Sequence, residues 1–310
     1  MNNDYRFCLE PYAGKKSRHT CPSCEKRNEF TRYIDMNTEQ YLNANVGRCN
    51  RISKCSYHYT PSQYFENNPD QHDNYVSPKE EPLTFRKGVS YVPDTVFRNS
   101  LRKYDQNNFV AYINTLFSSE QISQLISRYF IGTAKRWKGA TVFYQVDTKG
   151  RVRAGKIIQY NPITGKRIKN PRDHVSWVHS ALKLPDYNLE QCFFGEHLLS
   201  IGQKKTVAIV ESEKTAIVAS VYFPELIWLA AGSINGLSYK KCQVLRGREI
   251  ILYPDLNGFE EWSNKAIQLS NISTFEVSDI LERWGTEVDR KNGLDLADFL
   301  IRVNQQGIKP

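Results

Sequence analysis

From Lys205 onward the chain alternates short apolar runs with amphipathic stretches. Thr206–Val210, Leu226–Ala230, Glu249–Tyr253 and Thr274–Val277 are brief runs rich in β-branched and aromatic residues, which predicts strands, the first of them buried. Ser212–Tyr222 and Phe259–Leu269 predict helices between them, and 232–236 a loop. Strands separated by helices at this pitch predict an open, mostly parallel sheet with helices on its faces. Upstream the texture differs. Thr95–Tyr112 and Ser119–Tyr129 predict helices, the second with Ser119 as N-cap and Ile122, Leu125, Ile126 and Tyr129 at helical spacing. Ala140–Val146 and Val152–Tyr160 predict a hairpin turning at Asp147–Gly150, and 161–166 a further turn. Residues 1–65 are rich in Cys, Asn and aromatics, and Glu66–Pro82 turns polar, as a linker does.

The expected organisation is therefore multi-domain, α/β and α+β. It comprises a cysteine-bearing module over 1–65, a linker over 66–94, a central α+β module over 95–200 and an open α/β domain over 201–310. Five Trp, eighteen Tyr and fifteen Phe in 310 residues argue for folded domains. No apolar run is long enough for a transmembrane helix, so no membrane partner is expected. The start, Met1-Asn2-Asn3-Asp4, lacks the pattern of a secretory signal, so the cytoplasm is the expected compartment.

The net charge of +9 is unevenly placed: Gly132–Arg172 holds eleven Lys or Arg and a single Asp. Lys135, Arg136, Lys138, Lys149, Arg151, Arg153 and Lys156 lie there, interleaved with Trp137, Phe143, Tyr144 and Tyr160. Cations beside rings suit single-stranded nucleic acid, whose phosphates they track while bases stack. The plainer reading is a solvated basic hairpin, and strand alternation must bury some of those rings.

Cys21-Pro22-Ser23-Cys24 forms a C-x-x-C knuckle, and Cys49 and Cys55 supply a second pair after a gap that suits a β-hairpin, with Phe30–Ile34 as one strand. Two such pairs make a closed tetrahedral structural zinc site. Four Cys is the preferred set, with His58 able to replace one of the later thiolates. Cys8 is spare, and Cys192 and Cys242 read as core residues. Arg18, His19, Arg32, Tyr33 and Arg48 are candidates to face nucleic acid from this ribbon.

Glu211 stands where the strand Thr206–Val210 ends, and Asp255 where Glu249–Tyr253 ends; functional groups collect at such carboxyl ends. Asp295 and Asp298 follow in a third cluster. Gathered carboxylates hold Mg²⁺ or Mn²⁺ against phosphate. Helix capping by Ser212, Asp255 and Asp295 is the competing reading. Lys214, in the first turn after Glu211, is expected to face phosphate.

Glu211 in "VAIVESEKTAIVAS", Asp255 in "ILYPDLNG" and Asp295/Asp298 in "GLDLADFL" resemble the three Toprim motifs of bacterial DNA primases. The order of a cysteine ribbon, then "SSEQISQLISRYFIGTAKRWKGATVFYQVDTKGRVRAGKIIQY", then these motifs is similar to that of primases, closest to small ribbon-plus-Toprim proteins of mobile elements. The resemblance implies a zinc ribbon, a primase-like α+β subdomain and a Toprim sheet. It also implies RNA primer synthesis from nucleotides on single-stranded DNA, in plasmid or mobile-element replication, with Mg²⁺ or Mn²⁺. Glu211 and Asp255 would be catalytic, and Asp295, Asp298 and Glu213 further metal ligands. The second motif departs from Asp-x-Asp, since either Tyr253 or Asn257 replaces an acid. The alternative is a non-catalytic single-strand-binding accessory on a primase scaffold. A Toprim nuclease fits less well, because G-x-x-x-x-G-K-[ST] is missing from this sequence, and a helicase partner would be a separate protein.

Overall fold

The computed structural model describes residues 6–12, 14, 17–51, 54–68, 88–170, 173–202 and 205–307. It divides into two compact units, 1–86 and 87–310. Of the expected linker, 69–87 lies outside the described residues.

The first unit is an antiparallel assembly of β1 (Phe7–Leu9), β2 (Phe30–Asp35), β3 (Gln40–Tyr41), β4 (Gly47–Cys49) and β5 (His58–Tyr59). Its order is β1-β2-β4-β5, with β3 beside β2. Helix α1 (Pro61–Asn67) follows, opened by a reciprocal cap between Thr60 and Gln63. Two small apolar clusters hold the unit, one of Phe30 and Tyr57 with the cysteines, the other of Leu42, Val46 and Tyr64 with rings around them.

The second unit starts with α2 (Asp94–Ser100), α3 (Asn108–Ile113) and α4 (Ser119–Tyr129). The single helix expected over Thr95–Tyr112 is thus broken. Lys103 takes a left-handed backbone conformation, and the Asn107 side chain accepts the N–H groups of Phe109 and Val110. An Asn that caps its own downstream backbone starts a helix rather than continuing one. At α4 the cap is Ser118, not Ser119, because Ser118 and Gln121 satisfy each other's backbone N–H.

An antiparallel meander follows, β6 (Gly132–Ala134), β7 (Ala140–Val146), β8 (Val152–Ile158) and β9 (Val175–Trp177), in that order. Asp147 closes the β7–β8 turn by accepting from the Lys149 and Arg151 N–H groups. After the short helix α5 (Val178–Ala181) comes the parallel sheet of β10 (Val207–Val210), β11 (Ile227–Ala230), β12 (Glu249–Tyr253) and β13 (Thr274–Val277), ordered β11-β10-β12-β13. Helices α6 (Glu213–Tyr222), α7 (Tyr239–Cys242), α8 (Phe259–Gln268), α9 (Ile280–Trp284), α10 (Glu287–Asn292) and α11 (Leu296–Gln305) accompany it. β10 is buried on both faces. Ala208 and Val210 enter one apolar cluster, while Val207 and Ile209 enter another with Trp262 and Leu252. That is why its sequence reads as an unbroken apolar run.

The meander and the parallel sheet share a core. Phe109, Tyr129, Phe143 and Phe194 pack with Ala208, Trp228 and Leu300. The Tyr129 ring stacks on Phe194, and its hydroxyl donates to the Trp228 carbonyl. The boundary expected near residue 200 therefore falls inside continuous packing. Trp228 and Trp262 are both fully buried. Among the described residues no helix is long and apolar enough to cross a membrane.

Glu196 is buried in this core, where burial, with Asp147 nearby and against a hydrogen bond from the Phe193 N–H, pushes its carboxyl up to about 7. An acid whose folded value is raised binds its proton more tightly in the native state. Its stabilising protonation is complete below about pH 4.5 and is lost as pH rises through about 7. Glu196→Gln is expected to match the wild type at pH 4.5 and to exceed it by up to about 3 kcal/mol at pH 8. Urea midpoints at the two pH values measure this, and an equal gain at both would reject the titration as its origin.

Candidate functional site

In the first unit, Cys21 and Cys24 come from the turn before β2, Cys49 ends β4, and Cys55 lies in the loop before β5. Their four sulfurs lie within 4.8 Å of one another. Cys21–Cys55 and Cys24–Cys49 are 3.8 and 3.9 Å apart. Four thiolates about 2.3 Å from a tetrahedral zinc stand roughly 3.8 Å apart, so the set fits. Gly47 is required behind it, since a Cβ there would meet Phe30 and the Thr31 carbonyl. His58 is outside the set: its Nε2 shares a 2.9 Å hydrogen bond with the Tyr33 hydroxyl, and the two rings stack. With four thiolates the site is closed, so the metal's role there is structural.

Several residues expected to face nucleic acid from this unit have partners within it. His19 pairs with Glu10, Arg18 donates to the Ser17 carbonyl and lies over Tyr12, and Arg32 donates to the Ala44 carbonyl and lies over Tyr41. Arg48 is exposed on β4.

In the second unit, β10 and β12 are adjacent, with Val210 opposite Tyr253. Glu211 and Asp255 therefore leave neighbouring strand ends together. The Asp255 N–H donates to Glu211 Oε1 at 3.3 Å. Gly258 allows this approach, because a Cβ there would stand 3.3 Å from the same oxygen and 2.9 Å from the Asp255 carbonyl. Neither carboxylate has a side-chain cation partner among the described residues, and Asp255 Oδ1 is buried with no hydrogen bond. Burial raises the Glu211 carboxyl, eased by the Asp255 N–H and aggravated by Glu261. Burial, then Asp295 and Glu211, push Asp255 up to about 8. Asp255 caps no helix: the N-cap position of α8 is Gly258. Ser212 and Asp295 do cap, accepting from the Thr215 and Asp298 N–H groups.

The other acids of the expected site are engaged by lysines. Lys214 Nζ lies 3.1 Å from Asp295 Oδ2 and 2.9 Å from Asp298 Oδ1. Burial would lower this ammonium, but the two aspartates outweigh it and hold it protonated. Glu213 is buried, and both its oxygens take Lys156 Nζ at 3.1 Å, which also donates to the Gly232 carbonyl. Tyr253 packs its ring on Trp228, and Asn257 bonds both ways with Arg290. No ligand therefore replaces the missing second acid of Asp-x-Asp. Among the described residues, only the four cysteines bring three or more metal-ligating side chains within 4.8 Å.

The basic segment is divided by the fold. Arg151 and Arg153 pair with Asp147, Arg153 also with Glu190, and Lys156 with Glu213. Phe143, Tyr144 and Tyr160 are core rings rather than stacking platforms. Lys149 stays exposed on the turn. Lys135, Lys138 and Trp137 instead line a cavity of 550 Å³ with Arg102 and Lys103. Arg136 lies over the Trp137 ring. Buried Asn107 stiffens the floor by donating to the Gly132 carbonyl and accepting from Thr141.

A model of a domain family described as of unknown function, DUF6371, matches residues 107–256. A zinc β-ribbon finger family matches residues 5–70. No curated protein matches. Among solved structures, the chain is similar to the DnaG catalytic core at 13% identity and a TM-score of 0.44, covering 69% of this chain and 83% of that one. It is similar to the primase fragment of the bacteriophage T7 primase-helicase protein at 12% identity and 0.38, covering 89% and 98%. It is also similar to the zinc-binding and RNA polymerase domains of Aquifex aeolicus primase at 13% and 0.36, covering 96% and 84%.

Arg102 and Lys103 carried no sequence signal as site residues, since they fall within a predicted helix and outside the basic block. The break at Asn107 is what sets them beside Lys135 and Lys138.

Proposed function

We propose that this chain is a primase-like protein that binds single-stranded nucleic acid and holds one divalent cation, Mg²⁺ or Mn²⁺, at Glu211 and Asp255. The carrying observation is the pair itself: two half-buried carboxylates at adjacent strand ends, without a cationic partner and with Asp255 Oδ1 unbonded. Desolvated acids side by side require a proton or a cation. A cation held there supplies charge that bridges phosphate oxygens. Glu211 and Asp255 leave adjacent strand ends, Gly258 keeps their approach open, and the cations of the 102–138 cavity hold the strand by its phosphates while Trp137 offers a ring to a base. Asp295, Asp298 and Glu213 are outside this ligand set because lysines already occupy their oxygens. Template-directed primer synthesis from nucleotides is the activity such a site serves, with any helicase on a separate chain.

Binding is tested with a labelled oligothymidylate by fluorescence anisotropy. Lys135→Glu/Lys138→Glu is expected to weaken binding at low salt by about tenfold or more and to flatten the salt dependence by about 2 in log–log slope. Lys149→Glu is expected to change little. Unaltered affinity in the double variant rejects the cavity as the contact. Primer synthesis is tested with labelled nucleotides and Mg²⁺ or Mn²⁺: products that vanish in both Glu211→Gln and Asp255→Asn support catalysis.

The second reading, an accessory that binds without catalysis, is favoured by one observation. The two positions where the Asp-x-Asp motif would carry its other acid hold a core ring, Tyr253, and a tied amide, Asn257. Intact binding with no primer under either metal selects it.

A further inference from the structure

The sheet's acidic edge contains its own cation. Lys214 reaches from the first turn of α6 to α11, with Nζ between Asp295 Oδ2 and Asp298 Oδ1 at 3.1 and 2.9 Å, and its side chain is only 11% exposed. Asp295 is in turn fixed, since its Oδ1 caps α11 through the Asp298 N–H. This cluster lies beside Asp255: the Leu256 N–H donates to the Leu294 carbonyl at 3.0 Å, joining the residue after Asp255 to the residue before Asp295.

We propose that Lys214 is a resident cation that takes the place of a second metal ion at this edge, restricting the site to the single divalent cation of Glu211 and Asp255. An ammonium bonded to both aspartates offsets one of their two negative charges and occupies the oxygens that would otherwise recruit a metal, at every metal concentration. It also places one positive charge permanently beside the cation site, which weakens divalent binding there. The same contacts tie α11 to α6, so the third acidic cluster is a brace rather than a ligand set. This inference rests on the proposed function for the first cation, though not for the behaviour of Lys214 itself.

Mn²⁺ binding to the full chain, followed by electron paramagnetic resonance of the free ion, tests it, with zinc retained. The wild type is expected to bind one Mn²⁺, lost in Glu211→Gln. Lys214→Met is expected to bind two, or one at least about tenfold more tightly, because it frees two carboxylates and removes a repelling charge. Its thermal midpoint, lowered without metal, is expected to recover with Mn²⁺ more than the wild type's rises. Lys214→Arg is expected to keep one site.

Should Lys214→Met fold poorly, Asp298→Asn carries the test: one Mn²⁺ retained with affinity lowered by no more than about threefold supports the brace, and loss of the bound ion shows Asp298 to be a ligand and overturns it. A wild type with one site and a Lys214→Met variant identical to it overturns the resident-cation proposal alone. A wild type that binds no Mn²⁺ beside a variant that gains it overturns the first-cation reading alone. No binding by either overturns both.

Discussion

Cys49→Ser is expected to remove one zinc per chain and to unfold the first unit while leaving the parallel sheet folded. The unit has little else to hold it. Its apolar clusters are small, and the one around Phe30 is built from the cysteines themselves. Structural zinc contributes roughly 10 kcal/mol or more to folding at neutral pH, beyond what a core of this size supplies. Burial raises the Cys49 thiol, and a hydrogen bond from the Tyr57 N–H lowers that of Cys55, so bound metal is what allows four thiolates to coexist. Metal analysis, with proteolysis mapped along the chain, reads both consequences. Zinc loss should expose sites within 1–68 and leave 88–307 protected. Full zinc content in Cys49→Ser, or protection of the first unit without zinc, would reject the site. His58→Ala should leave zinc content unchanged, since its ring is engaged with Tyr33.

Lys156→Met is expected to cost about 3–5 kcal/mol of stability in the second unit, the usual effect of stranding one member of a buried ion pair. Glu213 is 1% exposed, and both its oxygens depend on Lys156. Water cannot replace that partner without opening the contact between β8 and the start of α6. Urea unfolding followed by tryptophan fluorescence measures the loss, because Trp228 and Trp262 are buried in this unit. Lys156→Met combined with Glu213→Gln is expected to recover most of it, as no unpaired charge is then left. A single-variant loss below about 1 kcal/mol would mean that the pair is hydrated and contributes as a surface pair does.

Much of the fold is legible in the amino-acid sequence. Strands β10 to β13 and helices α6 and α8 fall within a residue or two of their expected places, since β10 and β11, buried throughout, must be apolar throughout and the other elements still carry short apolar or amphipathic runs. The four cysteines converge as their spacing implied. Chain order likewise put Glu211 and Asp255 at strand ends, and the parallel pairing of β10 with β12 brings them together. Charge was the poorest guide. Eleven basic residues in one segment promised a single phosphate footprint, yet Arg151, Arg153, Lys156 and, further on, Lys214 each answer an internal acid.

The sequence by itself determined the parallel sheet, the cysteine ribbon and the identity of the two acids at the sheet's edge, because periodicity and short-range spacing are local properties of the chain. Tertiary structure alone decided which charges remain free. A lysine's role depends on which carboxylate lies within reach of it, and its partners here are 57 residues away for Lys156 and 84 for Lys214 in its bond to Asp298. Burial then fixes the outcome, since a charge removed from water must be matched wherever along the chain its partner happens to be.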